Sequence, residues 1–187
     1  MFSFPPLPSW DGLHPIIIHF PIAFTFVTPL LILLALLWRK HTGILLLAGL
    51  LLMVLATAAA FLATSTGEAA ADLVPKSSAH LALLEEHEEL GETARNFTIG
   101  LTSFLLLTTA AFWKWESRIP RGVVIGSGLL FIIANIAGIL VVANTAHLGG
   151  KLVHEAGIHA RLSAGPNTSR QVPTPIPPPG KADDNDD

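Results

Sequence analysis

The chain has 187 residues, of which 51% are hydrophobic and only 13% charged, with a mean hydropathy of +0.57. Soluble globular domains carry about 25% charged residues, so the composition argues against a soluble protein. The net charge of -3 leaves no basic face for nucleic acid. Because the chain has no cysteine, disulfides, cysteine-ligated clusters and covalent c-type haem attachment are excluded.

Four stretches lack Asp, Glu, Lys and Arg altogether, namely residues 12–38, 42–67, 96–113 and 122–150. Each is long enough to cross a bilayer core as a helix, which takes about 20 residues. The sequence therefore predicts an all-α fold, an integral membrane four-helix bundle over residues 14–160. An N-terminal outer segment, 1–13, precedes it, and a Pro-rich acidic tail, 161–187, follows it in an extended or disordered state.

The spans follow one another in chain order as two hairpins. Span one is predicted from Pro15 to Trp38, and span two from Ile44 to Ala63, followed by an exposed loop through Ser65, Thr66, Gly67, Glu68 and Pro75. The third helix is expected from about Ala79 to Trp113, and the fourth from Val123 to Ala146 and on toward His154. The glutamate-rich start of the third helix predicts that the third and fourth helices extend beyond the bilayer on the outer side.

The distribution of cations predicts the orientation. The two tight hairpins, 39–43 and 114–121, hold five of the cations, whereas residues 1–13 hold none. Because cations are enriched in cytoplasmic loops, both termini are expected on the outer side.

Histidines concentrate at the predicted outer ends of spans one, three and four. His80 and His87 are seven residues apart, as are His147 and His154, so each pair shares a helix face with about 10 Å of rise between its members. This spacing predicts two stacked levels of imidazoles, a deeper one with His19, His87 and His147 and an outer one with His14, His80 and His154. Ionisable groups at a membrane edge are candidates for a functional site.

Imidazole pairs are suited to axial ligation of haem iron, and bundle cores commonly hold such cofactors. Gly91 and Gly150 are candidates for a slot that admits the macrocycle, and Arg95 and Lys151 for cations that pair with its propionates. Two alternatives stay open. Three imidazoles of one level can instead bind zinc or copper, or the histidines can form only a polar network that bridges the helices.

Four elements of the sequence resemble a bacterial family of four-span membrane proteins catalogued as a domain of unknown function. They are the opening His14-Pro15-Ile-Ile-Ile-His19-Phe20-Pro21, the Thr66-Gly67 turn, the His80 and His87 helix, and the closing Gly149-Gly150-Lys-Leu-Val-His154-Glu-Ala-Gly157. The resemblance covers about residues 12–160. It implies a multi-pass protein of the bacterial inner membrane, in which the outer side predicted above for the termini is the periplasmic one. It also implies a haem-linked role near redox partners.

No enzyme motif accompanies the histidines, since there is no phosphate-binding glycine loop, no G-x-S-x-G and no H-E-x-x-H. The sequence therefore predicts an electron carrier or complex subunit rather than an enzyme. The leading hypothesis is a membrane subunit that binds one or two b-type haems and transfers electrons at the outer face to membrane or periplasmic redox proteins. The alternative is a structural or assembly subunit of a larger membrane redox complex, with the Pro-rich tail docked on a partner.

Overall fold

The computed structural model describes residues 7–74, 80–115 and 118–158. Within these ranges it is helical and has no strand, with short 3-10 turns at Asp11–Leu13 and Arg39–His41. Four segments are long and apolar enough to cross a membrane, which confirms the predicted four-span helical fold. The helices are α1 (His14–Ile17), α2 (His19–Leu37), α3 (Thr42–Ala71), α4 (Leu81–Trp115) and α5 (Arg121–His154).

The four long helices form a closed ring. Helix α2 packs on α3, α3 on α4, α4 on α5, and α5 returns to α2, while the short α1 lies against α3. At one end of the ring the Arg121 guanidinium of α5 donates a hydrogen bond to the carbonyl of Leu36 near the end of α2. We call this the hairpin end, and the opposite end, which contains His14 and His87, the histidine end.

The first span is interrupted at Ile18, although the sequence predicts one helix from Pro15 onward. The Ile18 N–H still donates to the His14 carbonyl, at 3.2 Å. The carbonyl of Ile17, just before the interruption, has no helical donor because Pro21, four residues later, carries no N–H. The interruption separates the single turn of α1 from α2.

The predicted loop at Ser65–Glu68 is wrong, because α3 continues through these residues to Ala71. Thr66 is fully buried, and its hydroxyl donates to the carbonyls of Leu62 and Ala63 in the preceding turn, at 2.8 Å and 3.0 Å. Three alanines, the best helix formers, then extend the helix to its end. Helix α3 therefore has 30 residues, close to the 35 of α4 and the 34 of α5.

The interior of the bundle differs between its two ends. Toward the hairpin end it is filled by large apolar side chains, which form one cluster: Ile32, Ala35, Leu46, Met53, Leu101, Leu105 and Phe131. Toward the histidine end most of the buried positions are small or polar, namely Thr25, Ala56, Ala60, Ala63, Thr66, Thr98, Asn135 and Gly138, and Leu148 and Leu152 of α5 are the larger apolar exceptions. On the α3 side the interior at that end is therefore bounded by short side chains.

The outer surface of the bundle is apolar on all four long helices. Leu30, Leu51, Leu107 and Ile133 are between 58% and 70% exposed in the isolated chain. An apolar exterior of this kind is what a lipid environment requires. Trp38 and Trp113, at the hairpin end, are each 59% exposed, as expected for aromatic anchors at a membrane interface.

A close approach of α5 to α2 at Gly128 provides a test of this packing. A Cβ at Gly128 meets the Leu36 side chain at 2.7 Å, whereas a Cβ at Gly126, two residues earlier, meets nothing within 4 Å. We expect Gly128→Val to lower the free energy of unfolding by about 1–3 kcal/mol relative to Gly126→Val. Both variants gain the same helix propensity over glycine, so the difference reports the clash. Equal stabilities in a denaturant titration of the two purified variants would contradict the packing at this crossing.

Three predicted features lie outside the described residues. They are the start of the N-terminal segment at residues 1–6, part of the connection between α3 and α4 at residues 75–79, and the tail at 161–187. The expectations for these segments stay as predictions.

Candidate functional site

His14 is held at the histidine end by the neighbouring helix α3. It is the first residue of α1, and its ring is partly buried against that helix. Its Nδ1 lies 2.8 Å from the Ala63 carbonyl oxygen and 3.3 Å from the Thr66 hydroxyl. One turn of α1 thus presents an imidazole whose orientation is set by a different helix.

His87 has the same environment in the other half of the bundle. It lies in the first part of α4, is partly buried, and places its Nδ1 3.0 Å from the carbonyl oxygen of Thr145 on α5. The orientation of this second ring is again set by a backbone carbonyl of a different helix.

The two hydrogen bonds fix which ring nitrogen carries the proton. A carbonyl oxygen accepts and cannot donate, so the Nδ1 of each neutral ring must be the protonated nitrogen. The lone pair of each ring then lies on Nε2. A hydrogen bond from Nδ1–H to a backbone carbonyl is the arrangement that commonly orients a metal-binding histidine.

A glycine makes room for each ring. Ala63 and Thr145 each precede a glycine by four residues, Gly67 and Gly149 respectively. A Cβ at Gly67 would lie 3.0 Å from Cε1 of His14, and one at Gly149 would lie 3.1 Å from Cε1 of His87. The same unit, a histidine on one helix with a carbonyl and a glycine on the next, therefore occurs once in each hairpin. We call it the histidine–glycine unit.

The two units bring their rings together. The centroids of the His14 and His87 rings are 6.3 Å apart, and their planes are inclined by 87°. Helices α1 and α4 supply the rings, and α3 and α5 supply the acceptor carbonyls. Three of the long helices, α3, α4 and α5, thus contribute a ring or an acceptor to the histidine pair. The fourth, α2, follows α1 directly after the interruption at Ile18.

The structure combines the histidines differently from the two predicted levels. The pair in contact takes His14 from the predicted outer level and His87 from the deeper one. The side chains of His19, His80, His147 and His154 are exposed. His147 and His154 do share one face of α5, but that face is turned away from the buried residues Leu148 and Leu152. The ligand roles of these four residues stay predictions.

The residues predicted to form the slot and to pair with propionates lie on α4 and α5. A Cβ at Gly91 or at Gly150 meets nothing within 4 Å. Arg95 turns toward α3, where it donates to the Thr64 hydroxyl at 3.3 Å and lies 5.4 Å from the centre of the Phe61 ring. It also lies 3.7 Å from the Glu92 carboxylate. Lys151 is partly buried on α5.

The donor set at this end is a pair of imidazoles. No group of three or more His, Cys, Asp or Glu side chains that could hold a metal ion occurs among residues 7–74, 80–115 and 118–158. The sequence-based alternative of three imidazoles at one level therefore has no counterpart in those residues as they are placed.

Sequence reasoning did not find the orienting residues Ala63, Gly67 and Thr145. The Thr66-Gly67 pair was interpreted as a turn, whereas it lies inside α3 against the His14 ring. A usable signal existed in the recurrence of a glycine four residues after a small or polar residue, at 63 and 67 and at 145 and 149. Small residues at such spacing let another group approach the helix backbone closely.

Comparison with known proteins gives the family and no more. No curated protein and no solved structure matches the chain. Residues 11–161 match a family described as predicted membrane proteins, DUF2231, which is the kind of family that the histidine motifs resemble. The match spans all five helices and both histidine–glycine units. The chain is therefore a multi-pass membrane protein that belongs to the DUF2231 family.

Proposed function

We propose that the protein binds a b-type haem at the histidine end, where His14 and His87 would hold the iron. The observation that carries the proposal is the meeting of two rings 6.3 Å apart, each with its Nδ1 bound to a backbone carbonyl. Both Nε2 lone pairs are thereby left for a metal. The absence of cysteine means that attachment would be non-covalent.

The separation of the rings suits two ligands of one iron. Metal–nitrogen bonds of about 2.0 Å place the centroids of two imidazoles on opposite sides of a metal ion about 6 Å apart. The observed 6.3 Å has this magnitude. The ligands would come from helices that are diagonal in the ring, so the pair spans the bundle from one side to the other.

The residues around the pair favour a large planar cofactor. Short side chains line the bundle on the α3 side, among them Ala56, Ala60 and Ala63. Gly91 lies one turn after His87 on the same face of α4 and has no neighbour within 4 Å of a Cβ position. Small side chains and a glycine therefore surround the histidine pair on these two helices, whereas the large apolar cluster lies toward the hairpin end.

The donor set favours haem over a mononuclear zinc or copper ion. A haem iron takes four nitrogens from the macrocycle and needs only two from the protein. Protein zinc sites take three or four protein ligands, and blue-copper sites likewise take three strong ones. Two imidazoles are enough protein ligands for a haem iron but too few for a zinc or blue-copper site of these kinds.

A haem held here supplies reversible one-electron transfer. His14 and His87 would bind the iron, and Arg95 and Lys151 are the nearby cations proposed to pair with propionates. With the hairpin end on the cytoplasmic side, as the cation-rich hairpins favour, the pair lies near the periplasmic face of a bacterial inner membrane. The protein would exchange electrons there with membrane or periplasmic redox proteins, on which the Pro-rich tail, 161–187, is proposed to dock.

A structural role is the second candidate. His14 joins α1 to α3, and His87 joins α4 to α5, so the two rings bridge helices without any cofactor. In that case the protein would be a non-catalytic subunit that supports the assembly of a larger membrane redox complex.

A visible spectrum separates the two candidates. The protein, purified in mild detergent after expression with adequate haem supply, is measured oxidised and dithionite-reduced, together with its iron, zinc and copper content. Haem binding predicts a Soret band, sharp reduced bands and about one iron per chain. A colourless, metal-free protein that co-purifies with other membrane subunits would reject haem binding and support the structural role. A colourless protein with stoichiometric zinc or copper would reject both.

A further inference from the structure

Asn135 is a fully buried polar residue in the middle of α5. Its exposed fraction is 0%, and neither its amide nitrogen nor its amide oxygen has a hydrogen-bond partner among the described residues. An amide that is buried without hydrogen-bond partners is strongly unfavourable in a membrane interior, where no bulk water can replace them. The amide of Asn135 therefore requires a hydrogen-bonding ligand at this position.

Thr25 on α2 is the second group of this kind. Its hydroxyl is 1% exposed and has no partner among the described residues. Thr28 of the same helix bonds instead to the carbonyl of Phe24, four residues earlier, at 2.8 Å, whereas Thr109 on α4 is, like Thr25, buried without a partner among the described residues. The hydroxyl of Thr25 makes no such bond to a carbonyl of its own helix.

Pro29 frees a third polar group at the same place. It lies inside α2, and its nitrogen carries no hydrogen, so the Thr25 carbonyl has no donor four residues ahead. The proline ring also pushes that carbonyl away from the helix axis. Thr25 thus presents two oxygen acceptors, its carbonyl and its hydroxyl, in a buried position.

The packing of α2 against α5 brings Thr25 and Asn135 to one level. Gly128 contacts the Leu36 side chain, which leans about one turn toward the start of α2. The two helices are antiparallel. Two turns beyond Gly128 toward the end of α5 lead to Asn135, and two turns from the Leu36 contact toward the start of α2 lead to Thr25. Both residues belong to the buried faces of their helices.

We infer that Thr25 and Asn135 bind an internal water molecule between α2 and α5. Water accepts a hydrogen bond from the Asn135 amide nitrogen and donates to the Thr25 carbonyl and to the Asn135 amide oxygen or the Thr25 hydroxyl. Buried waters typically make about three such bonds to groups that are otherwise unsatisfied. A cation fits less well, because no carboxylate is among these groups and the amide N–H repels it. The site lies about ten residues of α5, or about 15 Å, from the His87 acceptor Thr145, and it does not depend on haem binding.

A double-mutant cycle tests the link. Pro29→Ala supplies the missing backbone donor to the Thr25 carbonyl, and Asn135→Leu removes the amide. If one water connects the Thr25 carbonyl and the Asn135 amide, the effects of the two substitutions on the unfolding equilibrium constant in detergent are non-additive by more than about twofold. Asn144→Leu, which changes an exposed asparagine of the same helix, is the matched control and is expected to be additive with Pro29→Ala. Additivity of Pro29→Ala with Asn135→Leu would overturn the proposal.

An experimental structure of the unaltered protein at a resolution that shows ordered water is the second measurement, and it needs no variant to fold. We expect density within hydrogen-bond distance of both the Asn135 amide nitrogen and the Thr25 carbonyl. A direct hydrogen bond between these two residues would overturn the proposal. A thermal midpoint that depends on sodium or potassium, against choline at equal ionic strength, would also overturn it, because a cation would then occupy the site.

Discussion

His14→Ala and His87→Ala are each expected to give a helical, membrane-inserted protein that has lost most of its haem. Under the proposed haem ligation, either change would leave the iron with a single protein ligand. The cost to the fold is small, about 1 kcal/mol for one hydrogen bond. The acceptor carbonyls of Ala63 and Thr145 lie within helices and keep the N–H of the residue four positions later as a donor. Haem content per chain, from the pyridine haemochrome spectrum, measures the effect.

His19→Ala and His147→Ala are the matched controls, because both rings are exposed and both were predicted ligands of the deeper level. Full haem content in these two variants, with loss in the first two, is the expected pattern. Loss in His147→Ala with retention in His14→Ala would support the layered ligand set instead. His87→Gln adds a finer comparison. Its amide can still donate to the Thr145 carbonyl but lacks the imidazole lone pair, so retention of haem in that variant would contradict ligation.

Gly149→Leu is expected to lower the affinity for haem about 10- to 100-fold, the usual effect of losing a group that orients a metal ligand. A Cβ at this position lies only 3.1 Å from the His87 ring, and the rest of a leucine side chain would push the ring away from the Thr145 carbonyl. Titration of the apoprotein with haem measures the change.

Gly150→Leu is the control for this substitution, since it adds the same side chain one position later, where a Cβ meets nothing within 4 Å. Its affinity is expected to stay within about threefold of the unaltered protein, well short of the loss at Gly149. Equal losses in the two variants would mean that the open space beside Gly150, rather than the contact of Gly149 with His87, matters for haem. Gly67→Leu is expected to repeat the Gly149 result through His14, whose Cε1 lies 3.0 Å from a Cβ at Gly67.

The helical fold could be predicted because charge-free runs of sufficient length have few other solutions in a membrane. The end of α3 was missed for a specific reason. Ser65, Thr66 and Gly67 are typical of loops in soluble proteins, but within a bundle they are residues that allow close packing. Composition alone does not distinguish these two uses, whereas the burial of Thr66 does.

The pairing of the histidines could be predicted only in part. Spacing places His147 and His154 on one face of α5, but it does not tell which face points inward. In a soluble bundle the apolar stripe marks the interior. Here the exterior is apolar as well, as the exposure of Ile133 and Leu140 on α5 shows. Small and polar residues, such as Gly128, Asn135 and Gly138 on α5, mark the buried face instead.

The division of the site among the helices has a consequence for biogenesis. As the chain emerges from the ribosome, His14 can meet the Ala63 carbonyl once α3 is in place. His87 obtains its acceptor only when α5, the last helix of the bundle, has inserted. The order of synthesis therefore completes one half of the site before the other. A cofactor held by both rings would be loaded only after the final span has entered the membrane.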